Sequence, residues 1–209
     1  WLLVTPFLTT FLGLVLAIFL DRMKRESIPK SLIFMPMAVS FVGASIIWQF
    51  VYNFNPPGQP QIGLLSAIWN FFGANPPNWL LTPTLNTFLL MVIFVWVQTG
   101  FAMIILSAAV KAVPMDIVEA SALDGASGRK LFRFITFPMV RSTVIVVFVT
   151  QLVTTLKLFD IVRTVTGGNF GTSVLSNEMF SEIFVRFDTG RGSAMAVILF
   201  IFILPIMVY

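Results

Sequence analysis

The 209 residues are 57% hydrophobic and only 11% charged, and thirteen Lys and Arg against nine Asp and Glu leave a net charge of +4. Soluble domains carry roughly 25% charged residues, so a water-soluble fold cannot hide this much apolar surface and membrane lipid must solvate part of it. The basic residues lie between apolar runs rather than on one face, which argues against a nucleic-acid partner, and with no Cys and no His there is no disulfide framework, no thiolate or imidazole metal site and no His-based catalytic site.

About 20 predominantly apolar residues cross a bilayer core as one helix. Five stretches meet that length: Trp1 to Leu20, Leu32 to Tyr52, Thr84 to Val110, Met139 to about Val162, and Ser193 to Tyr209. Single runs this long satisfy their backbone hydrogen bonds internally as helices. The expected fold is therefore an all-α, polytopic transmembrane helix bundle, one domain over residues 1–209. The chain begins and ends inside apolar runs, so about six spans are expected in the full core.

The connections set an orientation. Between the first two spans, Asp21 to Ser31 holds Arg22, Lys24, Arg25 and Lys30; between the third and fourth, Lys111 to Arg141 holds Lys111, Arg129, Lys130, Arg133 and Arg141. Nine of the thirteen basic residues thus fall in two loops, and Asn53 to Pro83 has none. The basic loops are expected in the cytoplasm and Asn53 to Pro83 outside. That outer loop is rich in Pro, Gly and Asn; its stretch Ile62 to Phe72 reads as a short amphipathic helix at the membrane surface. Trp69 and Trp79 read as headgroup anchors, or as part of a docking surface for an external partner.

The loop from Lys111 to Arg141 is more than a linker. Pro114 can start a helix whose apolar face is Met115, Ile117, Val118 and Ala122. Gly125 and Gly128 break it, and a second helix follows through Leu131, Phe132 and Ile135, with Arg129, Lys130 and Arg133 on its polar side. Pro138 then opens the next span. Two short helices about a glycine break make a compact knob, suited to a partner's cleft.

Glu119-Ala120-Ser121, three residues to Asp124, Gly125, nine residues to Phe134, then Ile135-Thr136-Phe137-Pro138 resemble a known pattern. Permeases of binding-protein-dependent ABC importers carry Glu-Ala-Ala, three residues, Gly, nine residues and Ile-x-Leu-Pro in a cytoplasmic coupling loop. Ser121 and Phe137 are the two departures, and both are mild. Asp124-Gly125-Ala126 resembles the carbohydrate-uptake branch. Trp96 to Phe101, Phe159-Asp160 and Thr166-Gly167-Gly168 extend the likeness, although Asn169 and Phe170 stand where the family has Gly-Pro. Within the branch the chain looks closest to the first permease of an oligosaccharide or glucoside importer.

The resemblance implies a multi-pass permease of the bacterial inner membrane. It implies a second permease, two ATPase subunits and an external solute-binding protein as partners, and a sugar or glycoside as cargo. This chain has no Gly-x-x-x-x-Gly-Lys-Ser/Thr phosphate loop, so ATP and Mg would belong to the ATPase subunits, leaving no cofactor and no catalytic residue here. Residues 111–138 would form the coupling loop, with Glu119 pairing with a basic residue of the ATPase groove and Gly125 supplying the turn.

Polar residues inside spans are costly and tend to face a bundle interior or a watery path. Gln151, Thr154, Thr155 and Leu158 follow i, i+3, i+4, i+7 spacing, and Gln151 lies about 13 Å from the cytoplasmic end at 1.5 Å per residue. Gln98 and Phe101 are similarly placed, three apart, on the third span. The residues themselves leave sugar contact and helix-to-helix hydrogen bonding equally open; the resemblance implies sugar contact. Lys157 and Asp160 read as a local ion pair, or else as a point of gating or of coupling to the binding protein; Asn86 and Ser107 read as helix-packing residues, and Glu178, Glu182, Arg186, Asp188 and Arg191 as a solvated outer face or a surface that meets the binding protein. Two rivals have other requirements. An ion-coupled secondary transporter needs carboxylates inside spans, and an ABC permease for amino acids needs a path suited to charge.

Overall fold

The computed structural model describes residues 1–56 and 58–208. Among them there are helices and connections and no strand: α1 (Val4–Leu20), α2 (Ser27–Phe34), α3 (Phe41–Val51), α4 (Leu64–Phe71), α5 (Leu85–Lys111), α6 (Met115–Leu123), α7 (Gly128–Leu131), α8 (Phe137–Leu156), α9 (Asp160–Val165), α10 (Leu175–Phe184) and α11 (Thr189–Val208). Among the described residues, three continuous helices are long and apolar enough to span a bilayer: Leu85–Lys111, Gly128–Leu156 and Thr189–Ile206. The 17-residue α1 is apolar and shorter. The all-α membrane fold is as expected, with three differences in the spans.

The run Leu32 to Tyr52 is not one helix. It breaks after the 3₁₀ turn Met35–Ala38, and α3 restarts with Ser40 as its N-cap, the hydroxyl accepting from Gly43 N–H at 3.1 Å. Pro36 and a side chain that competes for backbone donors end the first helix despite unbroken hydropathy. The fourth span ends at Leu156, not near Val162, and it begins earlier, because α7 and the π-helical turn Phe132–Thr136 run straight into α8. Pro138 therefore lies inside a continuous helix. Its ring displaces the usual bond to the carbonyl four residues back, and the wider π turn just before it absorbs that distortion. Tyr209, the end of the expected fifth span, lies outside the described residues.

The chain divides into two compact units. One comprises Leu2–Ala38 and Gln98–Leu152. Its core joins Leu14, Ala17 and Leu20 of α1, Ala102, Met103 and Leu106 of α5, and Val147 of α8. Gly100 lets α5 approach the end of α2: a Cβ there would lie 2.6 Å from the Ile33 carbonyl oxygen and 2.8 Å from Phe34 Cα. Phe7, Phe11 and Phe19 of α1 and Ile145 and Val146 of α8 stay exposed, as apolar side chains facing lipid should.

The other unit comprises Trp1, Val39–Val97 and Val153–Tyr209. Its core gathers Ala44, Tyr52, Trp79, Leu90, Ile93, Phe94, Val97, Leu158, Ile161 and Val162. Trp79 is a correction: it is 4% exposed, its indole donates to Ser66 Oγ at 2.8 Å, and it meets Trp69 edge-on. Burying the ring while satisfying its N–H outweighs a place among headgroups. The helix expected at 62–72 is α4. Asn86 is fully buried and its amide donates to the carbonyls of Leu80 and Phe170, which fits a packing role. Phe170 itself has φ +57°, a value proline cannot adopt, so the turn at Asn169 and Phe170 differs from one built on Gly-Pro.

Candidate functional site

The segment between α5 and α8 is built around one turn. Pro114 caps α6 with extended backbone, Asp116 sits in its first turn, and Asp124 ends it. Gly125 has φ +79°, with its N–H on the Ala122 carbonyl at 3.0 Å and the Ala126 N–H on the Ser121 carbonyl at 2.9 Å. That closes α6 as a left-handed C-terminal turn, which glycine enters without strain. Ser121 is buried and its hydroxyl returns to the Val118 carbonyl at 2.8 Å.

Glu119, Ala120, Asp124, Gly125 and Pro138 are exposed, and Ile135 is half-buried in the π-helical turn. The motif residues thus present a free edge while Ser121 anchors it. The apolar side is exposed too: Met115 and Ile117 protrude, and Leu123 is 91% exposed. Leu123 was missing from the expected apolar face, and the sequence signal for it was its place immediately before Asp124-Gly125. Arg129, Lys130 and Arg133 are all exposed beyond the turn.

Next to this segment lies a charge cluster. Lys30 Nζ donates to Asp21 Oδ1 at 2.5 Å, Glu26 Oε2 at 2.8 Å and Ser107 Oγ at 2.8 Å. Ser107 Oγ donates to Asp21 Oδ1 at 2.7 Å, and Lys111 bonds Glu26. Lys111 and Lys30, both hydrogen-bonded to Glu26, hold its carboxyl at about 2, so it is ionised throughout the neutral range. Ser107 is therefore more than a packing residue.

The expected solute-contact residues divide. Gln151 is fully buried and Thr155 nearly so, four apart on one side of α8, with Thr154 half-buried beside them. None of the three lacks a partner. Gln98 and Phe101 are half-buried on α5. Leu158 does not share the α8 stripe, because the helix stops at Leu156. Leu158 is instead 4% exposed in the core, its carbonyl accepting from Ser176. Lys157 and Asp160 form no ion pair among the described residues; the helix break between them turns Asp160 into the first residue of α9. Glu182 is buried rather than solvated, and it holds Arg186. Among the described residues no group of three or more His, Cys, Asp or Glu could hold a metal.

A family model described as "Binding-protein-dependent transport system inner membrane component" matches residues 5–209. The chain belongs to that family. It is a multi-pass inner-membrane permease of the ABC importer class. It is 49% identical over 208 residues to the osmoprotective compounds uptake permease protein GgtC of Synechocystis sp., covering 100% of this chain and 75% of that one. It is 48% identical over 210 residues to the alpha-glucoside transport system permease protein AglF of Rhizobium meliloti, covering 100% of this chain and 62% of that one. A chain of a bacterial alginate ABC transporter, solved in complex with an alginate pentasaccharide-bound periplasmic protein, superposes with a TM-score of 0.84 at 17% identity. The match covers 99% of this chain and 70% of that one and supports the fold.

Proposed function

We propose that this permease forms half of the translocation path of an ATP-driven sugar or glycoside importer and carries ATPase closure to the path through α6. The observation that carries this reading is the exposed α6 with Glu119 and the Gly125 turn, free to enter a groove on an ATPase subunit. Two ATPase subunits hold ATP and Mg, a second permease completes the path, and an external binding protein delivers the sugar. Closure of the ATPase pair moves the docked α6 as a lever and switches the path between inward and outward access. Similarity to the alpha-glucoside permease supports a neutral sugar as cargo. Gln98 and Phe101 on α5, and Gln151, Thr154 and Thr155 on α8, supply amides, hydroxyls and a ring for sugar hydroxyls and pyranose faces.

The full assembly in proteoliposomes tests this. Uptake of a radiolabelled α-glucoside is expected to require ATP and the loaded binding protein, and to persist when ion gradients are collapsed. Uptake driven by a sodium or proton gradient without ATP overturns the reading. An ion-coupled carrier is disfavoured because α1, α3, α5, α8 and α11 contain no Asp or Glu.

The reading also fixes orientation. Because the chain has no native cysteine, a cysteine at Gly58 is expected to react with an impermeant thiol reagent from outside the cell. One at Ser127 is expected to stay protected until the membrane is opened. The reverse pattern places α6 on the wrong side for an ATPase.

A further inference from the structure

We infer that Asp21, Glu26, Lys30, Ser107 and Lys111 form a rigid clamp that makes the α1–α2 turn and the end of α5 move as one body, so that a displacement of α6 reaches α1 and α2. This rests on the lever role proposed for α6. The cluster ties together segments about 80 residues apart in sequence, through Lys30 to Ser107 and Lys111 to Glu26. Its two acids and two lysines balance. Lys30 spends three donors on three fixed acceptors, so the ammonium cannot swivel. The side chains of Asp21 and Lys30 are only 10% and 17% exposed, against 48% for Lys111. The inner pair is shielded, and separating it would leave two poorly hydrated charges unpaired. It therefore resists opening.

Lys111 is the last residue of α5, and Ala112, Val113 and Pro114 alone separate it from α6. The Ala112 and Val113 N–H groups are bonded to the carbonyls of Ala108 and Val110, and Val113 is buried, so this link has little slack. A second attachment lies 11 residues back, about 16 Å along the helix, where Gly100 sits against Ile33 and Phe34. Attachment at two levels fixes orientation as well as position. The clamp is thus a positioning device rather than a part of the solute path.

The test uses the complete transporter carrying Glu26→Cys and Lys111→Cys, joined or not by a short bifunctional maleimide. Without the tether, sugar moved per ATP hydrolysed is expected to fall about fivefold, the low end of coupling between distant sites. With the tether, coupling is expected to return to near the wild-type ratio, while each single-cysteine chain treated with the reagent stays impaired. A wild-type ratio in the untethered chain overturns the clamp. So does a tethered chain that hydrolyses ATP but cannot transport, since the joint would then have to open in each cycle. Lys111→Met keeps the apolar stem and removes the ammonium; it is the second variant should the cysteine pair assemble poorly. Wild-type coupling in Lys111→Met overturns the clamp equally. Gly125→Val in the same assay separates the two ideas: if it keeps full stimulation, the lever role fails. If it loses stimulation while the clamp variants stay coupled, the clamp alone fails.

Discussion

A Gly125→Val chain, assembled with its partner subunits, is expected to lose at least about tenfold of its ATPase stimulation by the loaded binding protein, with sugar uptake falling in step; such losses follow from misplacing a docked group by about 1 Å. Space is not the obstacle, since a Cβ at Gly125 would meet nothing within 4 Å. The obstacle is the backbone. At φ +79° a β-branched side chain is an outlier, and the left-handed region costs roughly 1–2 kcal/mol for an L-residue. The chain relieves that strain by opening the turn that bonds Ala126 to Ser121, which re-aims α6 relative to α7. Gly125→Asn tolerates the same region and is expected to keep most of the stimulation. Stimulated ATPase in proteoliposomes, read beside the amount of complex recovered, decides the matter. Full stimulation in the valine chain removes the lever role from α6.

Gln151→Leu is expected to slow sugar uptake about tenfold or to change the preferred sugar, because leaving a hydrogen-bonding partner unpaired costs about 1–3 kcal/mol. Thr155→Val, which exchanges a hydroxyl for a methyl at equal size, should act in the same direction. Stimulated ATPase should survive better than uptake in both, since α6 is untouched. The enclosure of Gln151 and Thr155 by protein sharpens the test. If their partners are other helices throughout the cycle, then complex yield, stimulation and uptake will fall together, as loss of an interhelical hydrogen bond predicts. Parallel loss of all three assigns these residues to helix packing and withdraws them from the path.

Much of the fold was legible because hydropathy and helix length obey the same bilayer constraint. The third span, read as Thr84 to Val110, is α5 at Leu85–Lys111. The turn at Gly125 was legible because a short helix followed by two glycines has few ways to end. Corrections arose where a local signal competed with hydropathy. Pro36 and Ser40 interrupt the second apolar run, and the end of α8 at Leu156 takes Leu158 off the stripe it would share with Gln151 and Thr155.

The sequence by itself determined that the chain lives in a membrane, that its helices span it, and that a short helix closed by a glycine turn sits between the third and fourth spans. Those properties depend on composition and on spacings shorter than about 30 residues, and local chemistry sets them. Only the tertiary structure decided which polar residues meet. Lys30 and Lys111 read as topology signals, yet each finds a carboxylate, and Ser107 bridges Lys30 and Asp21 from 77 and 86 residues away. Trp79 likewise left the expected headgroup layer for a core that supplied Ser66 as acceptor. Buried polar groups must be paired, but nothing in the order of residues says with whom. That is settled when helices far apart in the chain pack together and exclude water between them.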